Sequence, residues 1–125
     1  MNNILIVPDN TLGHKLNSST HVFVKRKVSN ENIYTNEFGW RVPNKDENYR
    51  KKKYSFLGCS WAMGVGNEYN NSIVGHLERM LSSPSHNLGV GSYSFLQINL
   101  ALKKYMYLLL DTRIYIFYAS WLVNR

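Results

Sequence analysis

The sequence predicts an α/β domain built on a parallel sheet and preceded by an N-terminal β-hairpin. Three observations lead there. Short β-prone runs at Tyr54–Leu57, His86–Val90 and Ile114–Tyr118 alternate with segments of helical periodicity, which calls for right-handed helical crossovers between parallel strands. His21 to Val28 alternates partly in polarity, Ser29-Asn30-Glu31-Asn32 is a turn cluster, and Ile33-Tyr34-Thr35 resumes the extended pattern, as a hairpin does. The first two core strands each run into small residues, Gly58-Cys59-Ser60 and Gly89-Val90-Gly91, where a chain turns from strand toward helix.

Taken in order, residues 1–50 form an arm that holds the hairpin and a solvated connection, Pro43 to Arg50, which has no periodicity. Residues 51–125 carry the α/β unit. Tyr54–Leu57 is its first and central strand. Ile73, Val74, Leu77, Met80 and Leu81 have the spacing of an amphipathic helix, which Ser82-Ser83-Pro84-Ser85 stops. After the second strand, Tyr93 to Leu110 reads as a helix carrying Leu96 and Leu100. Asp111-Thr112 breaks it, and the last strand follows. That last strand leaves its far edge unpaired, a surface for self-association unless another segment covers it.

Composition narrows the function classes. With 125 residues, 44% of them hydrophobic and 14% aromatic, the chain is long enough for one core and too apolar for disorder. A single cysteine excludes an internal disulfide and leaves the compartment open, with the cytoplasm as the default. Met1 to Val7 has four consecutive apolar residues and no basic stretch before them, so no secretory signal is read there. Tyr105 to Val123 is long enough to span a bilayer, but Asp111 and Arg113 fall near its middle, each costing roughly 2.5–3.5 kcal/mol on insertion. No transmembrane segment is expected.

The net charge of +7 and a pI near 9.6 raise the question of nucleic acid. Lys25-Arg26-Lys27, Arg50-Lys51-Lys52-Lys53 and Lys103-Lys104 sit at element edges or on polar faces, where solvated charge is ordinary. No helix-turn-helix, zinc-ligand or RNA-recognition signature accompanies them, so nucleic-acid binding is not expected. No metal site or cofactor is expected either.

Ser60 is the candidate for chemistry. It lies at the carboxyl end of a core strand, on the approach to a helix, where reactive serines and ligand sites of open α/β sheets occur. The plainer alternative for such a serine is a helix N-cap. Cys59 beside it is either a thiol activated at a helix N-terminus or a small buried filler. His14, His21, His76 and His86 all read as structural histidines. His76 falls inside the helix after Ser60, about four turns away, with its side chain along the layer, and His86 begins the second strand at the opposite sheet edge.

Three segments, in order, resemble the SGNH (GDSL-type) hydrolases. Phe56-Leu57-Gly58-Cys59-Ser60-Trp61-Ala62-Met63-Gly64-Val65-Gly66 is similar to that family's first block, a strand ending in Gly-Asp-Ser. His86-Asn87-Leu88-Gly89-Val90-Gly91-Ser92-Tyr93 is similar to its second, Asn-x-Gly-x-x-Gly-Tyr. Tyr34-Thr35-Asn36-Glu37-Phe38-Gly39-Trp40-Arg41 is similar to the Thr-Asn-x-x-Gly-Phe-Arg segment of a bacterial subgroup. The resemblance implies a flavodoxin-like three-layer sandwich with a parallel sheet. It also implies an acyl-serine mechanism on a small ester or acylated carbohydrate, with hydrolysis or acyl transfer as the outcome. Ser60 would be the nucleophile, and the backbone N–H groups of Ser60 and of Ser92, at the second block's glycine position, would serve the oxyanion hole.

The departures are specific. Cys59 stands where the family has aspartate, and Tyr118-Ala119-Ser120-Trp121 occupies the place of the third block, Gly-x-Asn-Asp, without its polar residues. The family's catalytic Asp-x-x-His lies further downstream than Arg125. The resemblance therefore implies the front half of a domain, inactive by itself, or a non-catalytic remnant or binding module on the same half-fold.

Overall fold

A computed structural model of the protein describes Ile4 to Tyr118. Its architecture is mixed α/β. An outlying hairpin pairs β1 (Ile6–Asp9) with β2 (Gly13–Leu16), and a six-stranded sheet takes the order β3-β4-β5-β7-β6-β8. Those strands are β3 (His21–Lys25), β4 (Asn30–Thr35), β5 (Arg41–Val42), β6 (Tyr54–Gly58), β7 (Ser85–Gly89) and β8 (Arg113–Phe117). Three helices complete it: α1 (Ser60–Met63), α2 (Ile73–Leu81) and α3 (Phe95–Leu109), with a 3₁₀ turn at Tyr69–Asn71.

The expected parallel core forms. β6 lies between β7 and β8 and is parallel to both, with Gly58 opposite Gly89 on one side and Phe117 on the other. The expected hairpin also forms, β3 against β4 with His21 opposite Tyr34. Its independence from the sheet is corrected. β5 pairs antiparallel with both β4 and β7, so the sheet is mixed and continuous across residue 50. Two residues cannot show a period of two, which is why β5 leaves no sequence pattern. β1 and β2 carry Pro8 and Gly13 and little alternation, so they too leave no strand pattern in the sequence.

Alternation along β6 divides the core between the two faces of the sheet. Phe56 faces Val74, Tyr69 and the partly buried Leu77 on the side of α2. Leu57 and Leu88 face Ile98, Ala101, Tyr105 and Leu109 of α3, where Leu12 and Leu16 of the outer hairpin also pack. Opposite faces follow from the topology. One crossover leads from β6 to β7 and the next from β7 past β6 to β8, so right-handed connections put their helices on opposite sides.

Local chemistry sets the helix ends. Ser72 Oγ accepts the Gly75 N–H at 3.1 Å to start α2, and Ser82 stops it in the left-handed conformation, φ 50°. α3 opens on a capping box: Gln97 N–H donates to Ser94 Oγ at 3.3 Å, and Ser94 N–H donates to Gln97 Oε1 at 2.8 Å. Among the described residues β8 pairs only with β6, and Tyr115 and Ile116 on it are each 42% exposed. No helix among the described residues is long and apolar enough to cross a membrane.

Candidate functional site

Ser60 follows the last residue of β6 by two positions and is the first residue of α1. The N-cap is Cys59, buried and extended, with no side-chain capping bond, so the capping role open to Ser60 falls instead to Ser72 at α2. The turn is close-packed by glycine. A Cβ at Gly58 would collide with the Phe117 carbonyl and with Ala62, and one at Gly89 would collide with the Met63 N–H group. α1 therefore lies directly on the carboxyl ends of β6 and β7. Asn87 Nδ2 donates to the Ala62 carbonyl at 3.0 Å, and the Val90 N–H donates to the Gly58 carbonyl at 3.1 Å.

The register Gly58 opposite Gly89 brings the Ser60 turn and the Gly91-Ser92 turn to the same end of neighbouring parallel strands. Ser92 is exposed and holds φ 65°, a conformation that normally selects glycine. Ser60, half-buried, lines an open groove of about 440 Å³ with Trp61, Val65, Asn67, Ile73 and His76. Neither Gly91 nor Ser92 lines that groove. The two turns share an end of the sheet, and the groove opens on the α2 side of Ser60.

His76 is the first correction at the site. Four helical turns of separation presuppose one continuous helix after Ser60. The chain instead breaks at Gly64, φ 82°, and α2 returns beside α1, so His76 and Ser60 line one groove. The ring is nonetheless turned to another partner. Arg79 Nη2 donates to His76 Nδ1 at 2.7 Å, which leaves the neutral ring its proton on Nε2, the wrong tautomer for Nε2 to take a proton from serine.

The other histidines are engaged elsewhere. His21 Nε2 bonds Asn32 Oδ1 at 2.9 Å and its ring stacks on Tyr34. His86, second residue of β7, is buried at the amino end of the parallel strands, and burial, with Lys52 nearby, holds its pKa down to about 4. His14 was the least predictable. From the outer hairpin its Nε2 donates to the Gly91 carbonyl at 2.9 Å, one residue before Ser92, while the Tyr93 hydroxyl donates to the His14 carbonyl at 2.7 Å. No local signal in Gly13-His14-Lys15 announces that contact 77 residues away.

The loop from Met63 to Glu68, which leads away from Ser60, is clamped by the antiparallel half of the sheet. Arg41 is 1% exposed, and burial lowers its pKa. Its Nη1 donates to the carbonyls of Met63 and Gly64 at 2.8 and 3.0 Å, and its Nη2 to those of Asn67 and Asn32 at 2.7 and 3.3 Å. Buried Glu31 accepts the Gly66 N–H at 2.7 Å and pairs with Arg26 at 2.8 Å. Glu68 Oε1 accepts from the Asn32 N–H at 2.8 Å.

This gives the Thr35-to-Arg41 segment a structural meaning. Thr35 Oγ1 donates to the Asn17 carbonyl at 2.6 Å, and Asn36 Oδ1 accepts from Phe38 and Trp40 N–H at 3.0 Å each to form a tight turn. Gly39, φ 81°, sits against the Leu16 carbonyl, where a Cβ would collide. The segment thus delivers Arg41 to the Ser60 loop.

Among the described residues no group of three or more His, Cys, Asp or Glu is arranged to hold a metal ion. Of the third-block position, Tyr118-Ala119-Ser120-Trp121, all but Tyr118 lies outside the described residues. No protein-family model matches this chain, and no curated protein matches it.

Proposed function

We propose that the chain carries the nucleophile-bearing portion of an SGNH-type serine ester hydrolase on a flavodoxin-like framework. Ser60 is the acyl-forming residue, and the backbone N–H groups of Ser60 and Ser92 serve the oxyanion. The observation that carries this is the Gly58–Gly89 register, which supports a reading in which both turns end neighbouring parallel strands, with Ser92 in a glycine-like conformation at the glycine position of the motif. The substrate class, a small ester or acylated carbohydrate, follows from the resemblance alone. Cys59 in place of the motif's aspartate removes a carboxylate from the turn.

A second reading, a non-catalytic remnant or binding module, is favoured by the histidines. The ring nitrogens of His14, His21 and His76 bond to partners other than Ser60, and His86 is buried at the other end of the strands. Loss of the base from a Ser-His pair costs orders of magnitude in turnover, and an oxyanion donor roughly 10²–10³. Residues 1–125 are expected to hydrolyse p-nitrophenyl acetate no faster than a Ser60→Ala control.

Added imidazole separates the two readings. Rescue of turnover in the wild-type chain above the Ser60→Ala control supports the hydrolase framework, and equal rates in both at every imidazole concentration favour the remnant. A Ser60-dependent burst without imidazole would show that a base operates within the chain or between two copies.

A further inference from the structure

Beneath the β5–β7 junction lies a cavity of about 10 Å³ whose walls include Trp40, Tyr49, Lys52 and His86. Trp40 is 4% and His86 3% exposed, and among the described residues neither Trp40 Nε1 nor His86 Nε2 has a hydrogen-bond partner. Buried polar atoms are rarely left so, because the desolvation cost of each is not recovered. The two rings are neighbours, with centroids 5.1 Å apart and planes 64° apart, and Tyr49 stacks on the other side of His86 at 5.2 Å. Arg41 also lines the cavity and its Nε has no partner among the described residues, but its Nη1 and Nη2 are bound to the carbonyls of Met63, Gly64 and Asn67, and it is not counted with these two.

We infer that this cavity is a binding site for a single water molecule, which accepts the Trp40 indole N–H and donates to His86 Nε2. Size and chemistry both select water. About 10 Å³ is the least volume that admits one water, and a larger solute does not fit. Indole nitrogen is a donor only, so a cation is disfavoured at it, and although Arg41 and Lys52 also line the cavity, a halide or polyatomic anion is larger than its water-sized space. Water can accept from the indole and donate to the imidazole nitrogen when the His86 proton sits on Nδ1. Its bridge joins the Trp40 segment to the Asn87-containing strand β7, two of the three stretches that carry the family resemblance, and fixes His86 with its own proton on Nδ1.

Crystals of the full chain at high resolution, together with water–protein NOE spectra of labelled protein, test this. The expected result is one water peak within hydrogen-bond distance of both Trp40 Nε1 and His86 Nε2. NOEs from long-lived water to the Trp40 indole proton and the His86 ring should accompany it. His86→Gln, which retains an acceptor, is expected to keep these signals, and His86→Leu to lose them. Should the leucine variant not fold, the wild-type density and NOEs decide alone. Ordered density without a water peak, a direct Trp40–His86 hydrogen bond, or a bromide anomalous peak at the position would each overturn the inference.

Discussion

The two halves of the six-stranded sheet are held together by different physics. On the parallel side, β7, β6 and β8 are joined by apolar burial: Phe56 and Leu57 pack against opposite helical layers, and glycines at 58 and 89 let α1 lie on the strand ends. On the antiparallel side, β4 and β5 bury Glu31 and Arg41, at 0% and 1% exposure, and both reach the backbone of the Met63–Glu68 loop. The apolar half builds the joint at which Ser60 sits. The polar half decides the path of the chain that leaves it.

Breaking the polar side is expected to have the largest effect. Arg41→Met keeps the length and loses the donors, stranding the carbonyls of Met63, Gly64 and Asn67. Each buried carbonyl left without its donor typically costs about 1–3 kcal/mol. Urea unfolding should show that loss, and hydrogen exchange should show residues 63–68 opening ahead of β7. Equal acceleration in both regions would mean that Arg41 stabilises the sheet generally rather than clamping the loop.

The junction between the halves is expected to respond to pH. Burial, with Lys52 nearby, lowers the His86 pKa from its ordinary 6.5 to about 4. The folded state therefore binds a proton less readily than the unfolded chain does. The stability due to neutral His86 is fully present above about pH 6.5 and is lost as pH falls through about 4, by roughly 3 kcal/mol once protonation is complete. The other groups facing the ring are Trp40, Tyr49 and Lys52, the last paired with Glu47 at 3.1 Å. Thermal denaturation from pH 7.5 to 4 should reveal the decline, and His86→Gln should flatten it. A wild-type profile as flat as the variant's would remove His86 from this role.

The parallel side is sharpened by the smallest change, Gly89→Ala. One methyl directed at the Met63 N–H group must displace α1, an overpacking cost of about 1–3 kcal/mol. Chemical-shift changes should concentrate on residues 58–64 and leave the β3–β4 hairpin untouched. Changes spread evenly through the hairpin would show that the two halves are not separable in this way.

Much of the parallel half was legible in the residues because its signals are local. The helix expected from Ile73 to Leu81 forms over those residues, since its apolar spacing and its stop at Ser82 are contained in nine positions. The break at Asp111-Thr112 likewise separates α3 from β8. At the site, the position of Ser60 after a core strand was readable from β-prone residues running into Gly58. The antiparallel half was only partly readable. β5 has two residues, and Arg41 in a sequence looks like any solvated arginine until four carbonyls converge on it.

What the amino-acid sequence determined by itself is therefore the three parallel strands and the helices α2 and α3 of the α/β unit, the turn that follows Gly58, and the hairpin at residues 21–35. Periodicity and glycine placement act over a few residues and need no partner to be recognised. What only the tertiary structure decided is which distant groups meet. It brings His76 back to the groove of Ser60 yet turns its ring to Arg79, and it carries His14 across 77 residues to the Gly91 carbonyl. It also buries Arg41 against the loop that Ser60 begins. Such contacts depend on desolvation and hydrogen-bond geometry between segments far apart in the chain, and no periodicity within either segment encodes them.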